Sequence, residues 1–167
     1  QNFIKSDLNP GDVRSMCCRL QMDLRQLRNK TGGLFGAGEQ TGSIGVVTIN
    51  MPRLGYISRD KDDFFARLSN LMDLAKESLD IKRKVVQRHL DQDLLPYTKT
   101  YLGTLKNHFS TIGLVGLNEA CLNFLGCSIA DEEGAKFSLK VLDLMRDRLS
   151  AYQKAGESIY NLEASPA

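Results

Sequence analysis

Two adjacent thiols, Cys17 and Cys18, lie in the stretch Ser15-Met16-Cys17-Cys18-Arg19-Leu20, and this is where the sequence places chemistry. Buried cysteines normally arrive singly, as small apolar filler, so a vicinal pair is unusual. Cys17 also stands at helical spacing from Val13 and Leu20, which fits two packed and inert thiols equally well. Spacing alone leaves both readings open. The remaining cysteines, Cys121 and Cys127, have five residues between them, which matches no common zinc pattern. His89 and His108 are far from every Cys in sequence, so no metal site is expected from this chain.

Further candidates are polar residues at the ends of apolar runs. Asn50 closes Gly45-Val46-Val47-Thr48-Ile49-Asn50, where α/β proteins present ligand groups, or else it caps the turn into Met51-Pro52. Asn118 and Glu119 follow a second apolar run; they read as ligand-facing groups or as a helix start with a first-turn acid. The glycines at 32, 33, 36, 38 and 42 force a loop. They lack the spacing and the following Lys of a phosphate cradle.

The elements that must hold these groups follow from periodicity. Val13, Met16, Cys17, Leu20, Leu24 and Leu27 recur every three or four residues behind Asp12, which predicts an amphipathic helix over 13–29. Ile44 to Met51 is a continuous β-branched run that predicts a strand buried on both faces. Asp60 to about Gln92 reads as the longest helix, with Phe64, Leu68, Leu71, Met72, Ala75, Leu79, Val86 and Leu90 on one face. Phe109 to Leu117 is a second strand, in which Gly113 and Gly116 point to a close backbone approach. A short helix over 118–125, a long one opening at Ala130-Asp131-Glu132-Glu133, and a strand over 158–163 complete the order. Strands alternating with long helical crossovers mean an α/β fold with parallel strands.

With 167 residues, 42% of them hydrophobic and 25% charged, the chain can bury the core of one domain. Its 22 basic and 20 acidic side chains nearly balance, which gives no electrostatic case for a nucleic-acid partner. No apolar run is long enough to span a membrane, and the start lacks a signal peptide's architecture. Cysteine usage points to a reducing, cytoplasmic setting. A first residue other than Met and an end just past a strand read as a piece of a longer protein. Open sheet edges would make such a piece prone to association.

Four blocks in order, SMCCRLQMDLRQLR after Leu8-Asn9-Pro10, GGLFGAGEQTGSIGVVTINMPRLGY, TIGLVGLNEA and YNLEASPA, resemble the catalytic barrel of the anaerobic (class III) ribonucleoside-triphosphate reductases. The resemblance implies part of a ten-stranded α/β barrel, with 1–43 a finger-loop region and 44–167 a β-α-β-α-β part of a half-barrel. It also implies a loop tip at 15–19, in conflict with the helix expected there. Cys18 would carry a thiyl radical that abstracts the ribose 3′ hydrogen, with Cys17 in reserve. Ser165 and the backbone N–H groups after it, that of Ala167 included, would receive the substrate phosphates. The family more often has Thr at position 165, and Ser keeps the hydroxyl donor.

No cofactor is expected within the segment. The family implies a glycyl radical installed by an S-adenosylmethionine iron–sulfur activase, a structural zinc outside 1–167, a ribonucleoside triphosphate substrate and a homodimer. The segment holds half an active site, so no turnover is expected from it alone. Two alternatives remain at this stage: a fragment of a formate-lyase-like acyltransferase, which also uses paired cysteines, and a non-catalytic α/β scaffold with packed thiols.

Overall fold

The computed structural model describes residues 13–16, 20–23, 42–156 and 158–165. Its larger part is a parallel three-stranded sheet, β3 (Gly42–Asn50), β4 (His108–Val115) and β5 (Ile159–Ala164), with β4 in the middle. Between β3 and β4 run α1 (Met51–Ile57), α2 (Lys61–Asp91) and α3 (Pro96–Leu102). Between β4 and β5 run α4 (Leu117–Leu125) and α5 (Glu132–Ala155). Parallel strands joined through helices are what the alternation of patterns predicts.

The helix expected over 13–29 is corrected. Residues Val13–Met16 (β1) and Leu20–Asp23 (β2) form an antiparallel pair in which Met16 faces Leu20 and Val13 faces Asp23. Leu20-Gln21-Met22-Asp23 alternates with period two, so the local pattern fits a strand as well as a helix, and pairing decides. Cys17, Cys18 and Arg19 connect the two strands in sequence and lie outside the described residues.

Local chemistry explains the other boundaries. Asp60 caps α2 by accepting a hydrogen bond from the Asp63 backbone N–H at 2.8 Å, and Asp62 and Asp63 sit at the positive end of the helix dipole. α5 stops at Gly156. The sequence reading missed α1, because Pro52 and Gly55 look like breakers. Pro is accommodated in a first helical turn, where its missing N–H has no partner to lose.

The core lies between one face of the sheet and the helices. Phe64, Leu68, Met72, Ala75 and Leu79 of α2 meet Phe137, Val141, Met145 and Leu149 of α5 over Ile49, Ile112, Leu114 and Tyr160 of the strands. Phe64 is the hub: its ring lies 5.0 Å from Phe137, 5.3 Å from Phe124 and 5.6 Å from Phe65, centroid to centroid. Polar bonds lock the same helices. Asp73 of α2 accepts from Arg148 and Tyr152 of α5, and Asp80 accepts from Tyr160 of β5 at 2.7 Å.

β3 corrects a second expectation. Its burial alternates, with Ile49 5% exposed and Val46 43% exposed, so one face lies in the core, and among the described residues it stands at the edge of the sheet. Only β4 approaches the doubly buried strand that the apolar runs predict.

Two tests follow. Phe64→Ala removes the hub ring and should cost about 3–5 kcal/mol of unfolding free energy. Asp60→Ala loses one cap and should cost about 1 kcal/mol; urea titration of both variants measures the contrast. The second test concerns acid. Burial pushes the Asp80 carboxyl up, but the bonds from Tyr160 and Lys76 outweigh it and hold the group below the usual carboxylate range. A lowered folded-state value means stability present above the unfolded carboxylate value and lost as pH falls through the folded one. The stability gap between wild type and Tyr160→Phe should therefore be wider at neutral pH than in acid; an unchanged gap refutes this linkage.

Candidate active site

Period-two alternation divides each strand into a helix-facing and an opposite series. Val47, Ile112 and Leu162 form one register row toward the helices, and Ile49, Leu114 and Ala164 the next. On the opposite face the rows are Val46, Thr111 and Asn161, then Thr48, Gly113 and Glu163, with Asn50 and Val115 beyond. This second face is polar along β5, whose residues Asn161, Glu163 and Ser165 follow at every second position.

Its hydrogen bonds run between strands. Thr111 donates from Oγ1 to Asn161 Oδ1 at 2.6 Å. Thr48 Oγ1 and Ser165 Oγ lie 2.9 Å apart, across Gly113 of the central strand. Glycine leaves space for this pair: a Cβ at position 113 would stand 2.7 Å from Ser165 Oγ and 3.2 Å from Thr48 Oγ1. Ser165 also donates its backbone N–H to Leu114 O at 2.9 Å, which extends the β4–β5 ladder one residue past the strand. Glu163 is 8% exposed, an uncommon position for a carboxyl side chain.

The rim above these rows consists of α1 and α4, which begin where β3 and β4 end. Gly55 allows the two helices to touch: a Cβ there would lie 2.7 Å from Ala120 O. Gly116 enters α4 in the left-handed region, at φ 70°, with the Pro52 ring against it. Asn123 donates to Pro52 O at 3.1 Å and ties the pair again.

The residues singled out from sequence fall around this edge with different duties. Asn50 caps α1, its Oδ1 accepting from the Arg53 N–H at 2.9 Å. Asn118 Oδ1 accepts from the Ile129 N–H at 3.1 Å and from Ser128 Oγ at 3.3 Å, so it pins the 126–131 connection. Glu119 is exposed in the first turn of α4. Ser165 is brought against Thr48. Cys17, Cys18 and Ala167 lie outside the described residues. The sequence reading missed Thr48, Thr111, Asn161 and Glu163. Their signal was Asn161 and Glu163 two apart in the last strand, and single threonines within the apolar runs of the first two.

A cleft of about 450 Å³ lies on the helix side of the sheet, lined by Asp73, Lys76, Asp80, Arg83, Tyr152 and Tyr160 among others. Its groups are committed to structure. Arg83 donates to Leu105 O, His108 O and Ser110 Oγ, and burial together with the Asp80 bond pushes the Tyr160 hydroxyl above its ordinary range. Burial, then the nearby Arg83 charge, pushes His108 below its ordinary range. Among the described residues no group of three His, Cys, Asp or Glu side chains is placed to hold a metal ion.

The model of the anaerobic ribonucleoside-triphosphate reductase family matches residues 1–167. No curated protein matches the chain. Among solved structures, the Thermotoga maritima anaerobic ribonucleotide reductase with citrate in its active site is similar at 28% identity and a TM-score of 0.70, over 77% of this chain and 25% of that one. The same enzyme with dATP in its specificity site gives 27% identity and 0.68, over 74% and 22%. A further anaerobic ribonucleotide reductase gives 26% and 0.68, over 77% and 21%. The chain thus spans about a quarter of the length of the solved structures it matches.

Gly113→Ala tests the packing of the open face. The added methyl displaces the Ser165 hydroxyl from Thr48 and loosens the strand end, so backbone hydrogen exchange of the Ser165 N–H should accelerate while peptides from α2 keep their protection. Unchanged exchange at Ser165 would show that the glycine is not needed for the close approach.

Proposed function

The chain belongs to the anaerobic ribonucleoside-triphosphate reductase family, and we propose that it is part of an enzyme reducing ribonucleoside triphosphates to deoxyribonucleoside triphosphates. The observation that carries this reading is the family match over all 167 residues, joined to a polar sheet face that ends in Ser165. In this reading the three strands belong to a ten-stranded barrel with the open face inward, and residues 1–43 carry the finger loop.

Cys18 is the radical site, with Cys17 in reserve. Its thiyl takes the ribose 3′ hydrogen atom, so the S–H bond forms as the C3′–H bond breaks. Thiols flanked by the β1–β2 pair suit a role at the turn of a loop better than one in a helix. Ser165 and the backbone N–H groups after it, that of Ala167 included, receive the phosphates. An open strand end with a hydroxyl already oriented by Thr48 supports that placement. Asn50, Asn118 and Glu119 stand at the same edge. The carboxamide oxygens of Asn50 and Asn118 are engaged in backbone bonds, and Asn118 Nδ2 donates to Glu119 Oε1 at 3.5 Å, so in this reading Asn50 Nδ2 and the Glu119 carboxylate are the groups offered to substrate. A glycyl radical installed by an S-adenosylmethionine iron–sulfur activase supplies the oxidising equivalent to the thiol. That radical, the structural zinc and the second protomer of a homodimer belong to the rest of a cytoplasmic parent protein. No helix of the described residues is long and apolar enough to cross a membrane.

Cys18→Ser in the full-length protein, activated to hold its glycyl radical, should form no deoxynucleotide. The radical signal itself should persist, because a serine hydroxyl cannot relay it. Substantial turnover in Cys18→Ser would move the role to Cys17 or remove it from this stretch.

A further inference from the structure

The open face holds one polar group that the structure leaves unanswered. Asn161 Nδ2 has less than 1 Å² of exposed surface and no hydrogen-bond partner among the described residues, while Oδ1 of the same carboxamide is taken by Thr111. Thr111 is itself 2% exposed and sits on the central strand, one register row from Gly113. An amide N–H shielded from water and left unpaired costs roughly 1–3 kcal/mol. The orienting bond from Thr111 fixes which end of the carboxamide remains. A buried polar group without a partner calls for an explanation, and on a sheet face that no helix covers an acceptor supplied by a ligand is one.

The location says which part of a nucleotide would meet it. Asn161 precedes Ser165 by four residues on the same face of the same strand, about 13 Å at ~3.3 Å per residue. A triphosphate received at the strand end directs its uncharged nucleoside part down the face, toward the Thr111–Asn161 row. A neutral amide donor suits an uncharged hydroxyl oxygen and adds little for a phosphate, for which a cation is the stronger partner.

We infer that Asn161, oriented by Thr111, donates its Nδ2 hydrogen bond to a sugar hydroxyl of the bound ribonucleotide and so helps the site distinguish ribose from deoxyribose. This rests on the functional reading above and adds a specificity residue to it. The Thr111–Asn161 pair selects; Ser165 and its loop hold charge.

The test compares the full-length protein with Asn161→Ala and Thr111→Val, using equilibrium binding of a ribonucleoside triphosphate, its 2′-deoxy and 3′-deoxy analogues, and inorganic tripolyphosphate. Wild type should bind the ribonucleotide about tenfold more tightly than at least one deoxy analogue. Asn161→Ala should lose that preference and still bind tripolyphosphate with wild-type affinity, which also reports that the strand end is intact. Thr111→Val should show a partial loss in the same direction. If both variants keep the full ribose preference, Asn161 does not touch the sugar and the inference falls alone. If wild type binds no ribonucleoside triphosphate, the functional reading falls and takes the inference with it. If Asn161→Ala weakens tripolyphosphate and ribonucleotide equally, the residue supports the fold only, and the inference is wrong.

Discussion

The central strand β4 depends on neighbours on both sides, and everything else follows from that demand. Its backbone groups are satisfied only when β3 and β5 run parallel beside it, in a register that places Gly113 between Thr48 and Glu163. Parallel neighbours require crossovers, and the crossovers are the amphipathic helices α2 and α5. Their apolar stripes cover one face of the sheet, with Ile112 and Leu114 beneath Phe64, Met72 and Val141. The other face receives no helix among the described residues. It is therefore free to carry hydroxyl, amide and carboxyl groups without competing with core packing.

The two ends of the sheet have correspondingly different chemistry. At the start of β4 and β5, Arg83 donates to the backbone carbonyls of Leu105 and His108 and Tyr160 donates to Asp80, a half-buried network in which Arg83 Nε and His108 Nδ1 find no partner among the described residues. On the open face the polar groups are smaller and stand in rows, with the Thr48–Ser165 pair where the strands finish and the unpaired Asn161 donor farther back. Ligand chemistry in open α/β sheets gathers at the carboxyl ends of strands, because the backbone there turns away into loops and helices and leaves space. The large cleft on the helix side, for all its charged lining, is a product of packing.

Much of this was legible in the residues. Asp60 with Asp62 and Asp63, and then Phe64, Leu68, Met72 and Leu79 at helical period, announce α2 without ambiguity, because cap, dipole and stripe agree. The apolar runs mark β3, β4 and β5, and the helices between them force parallel pairing. Three features were hidden for physical reasons. The 13–23 stretch carries apolar residues at spacings that fit two periods, and its strand pairing is a tertiary fact. Met51–Ile57 contains Pro and Gly, whose purposes, a first helical turn and a close contact with Ala120, appear only when α4 is beside it. Thr48 and Thr111 were masked by β-branched neighbours (Val47, Ile49, Ile112), and Asn161 and Glu163 alternate along a strand too short to say which face they share with them. Register then shows that four scattered polar residues share one surface. The family resemblance, by contrast, rested on ordered blocks, and the match over the whole chain bears it out.

The contact of α1 with α4 has a consequence for whatever settles at the strand ends. Gly55 against Ala120, Gly116 against Pro52, and the Asn123 amide on Pro52 O weld the tails of two neighbouring strands into one stiff ledge. A guest landing on such a ledge does not have to freeze it. The freedom that a floppy rim would surrender on complexation was already given up when the chain folded, so more of each contact survives as affinity.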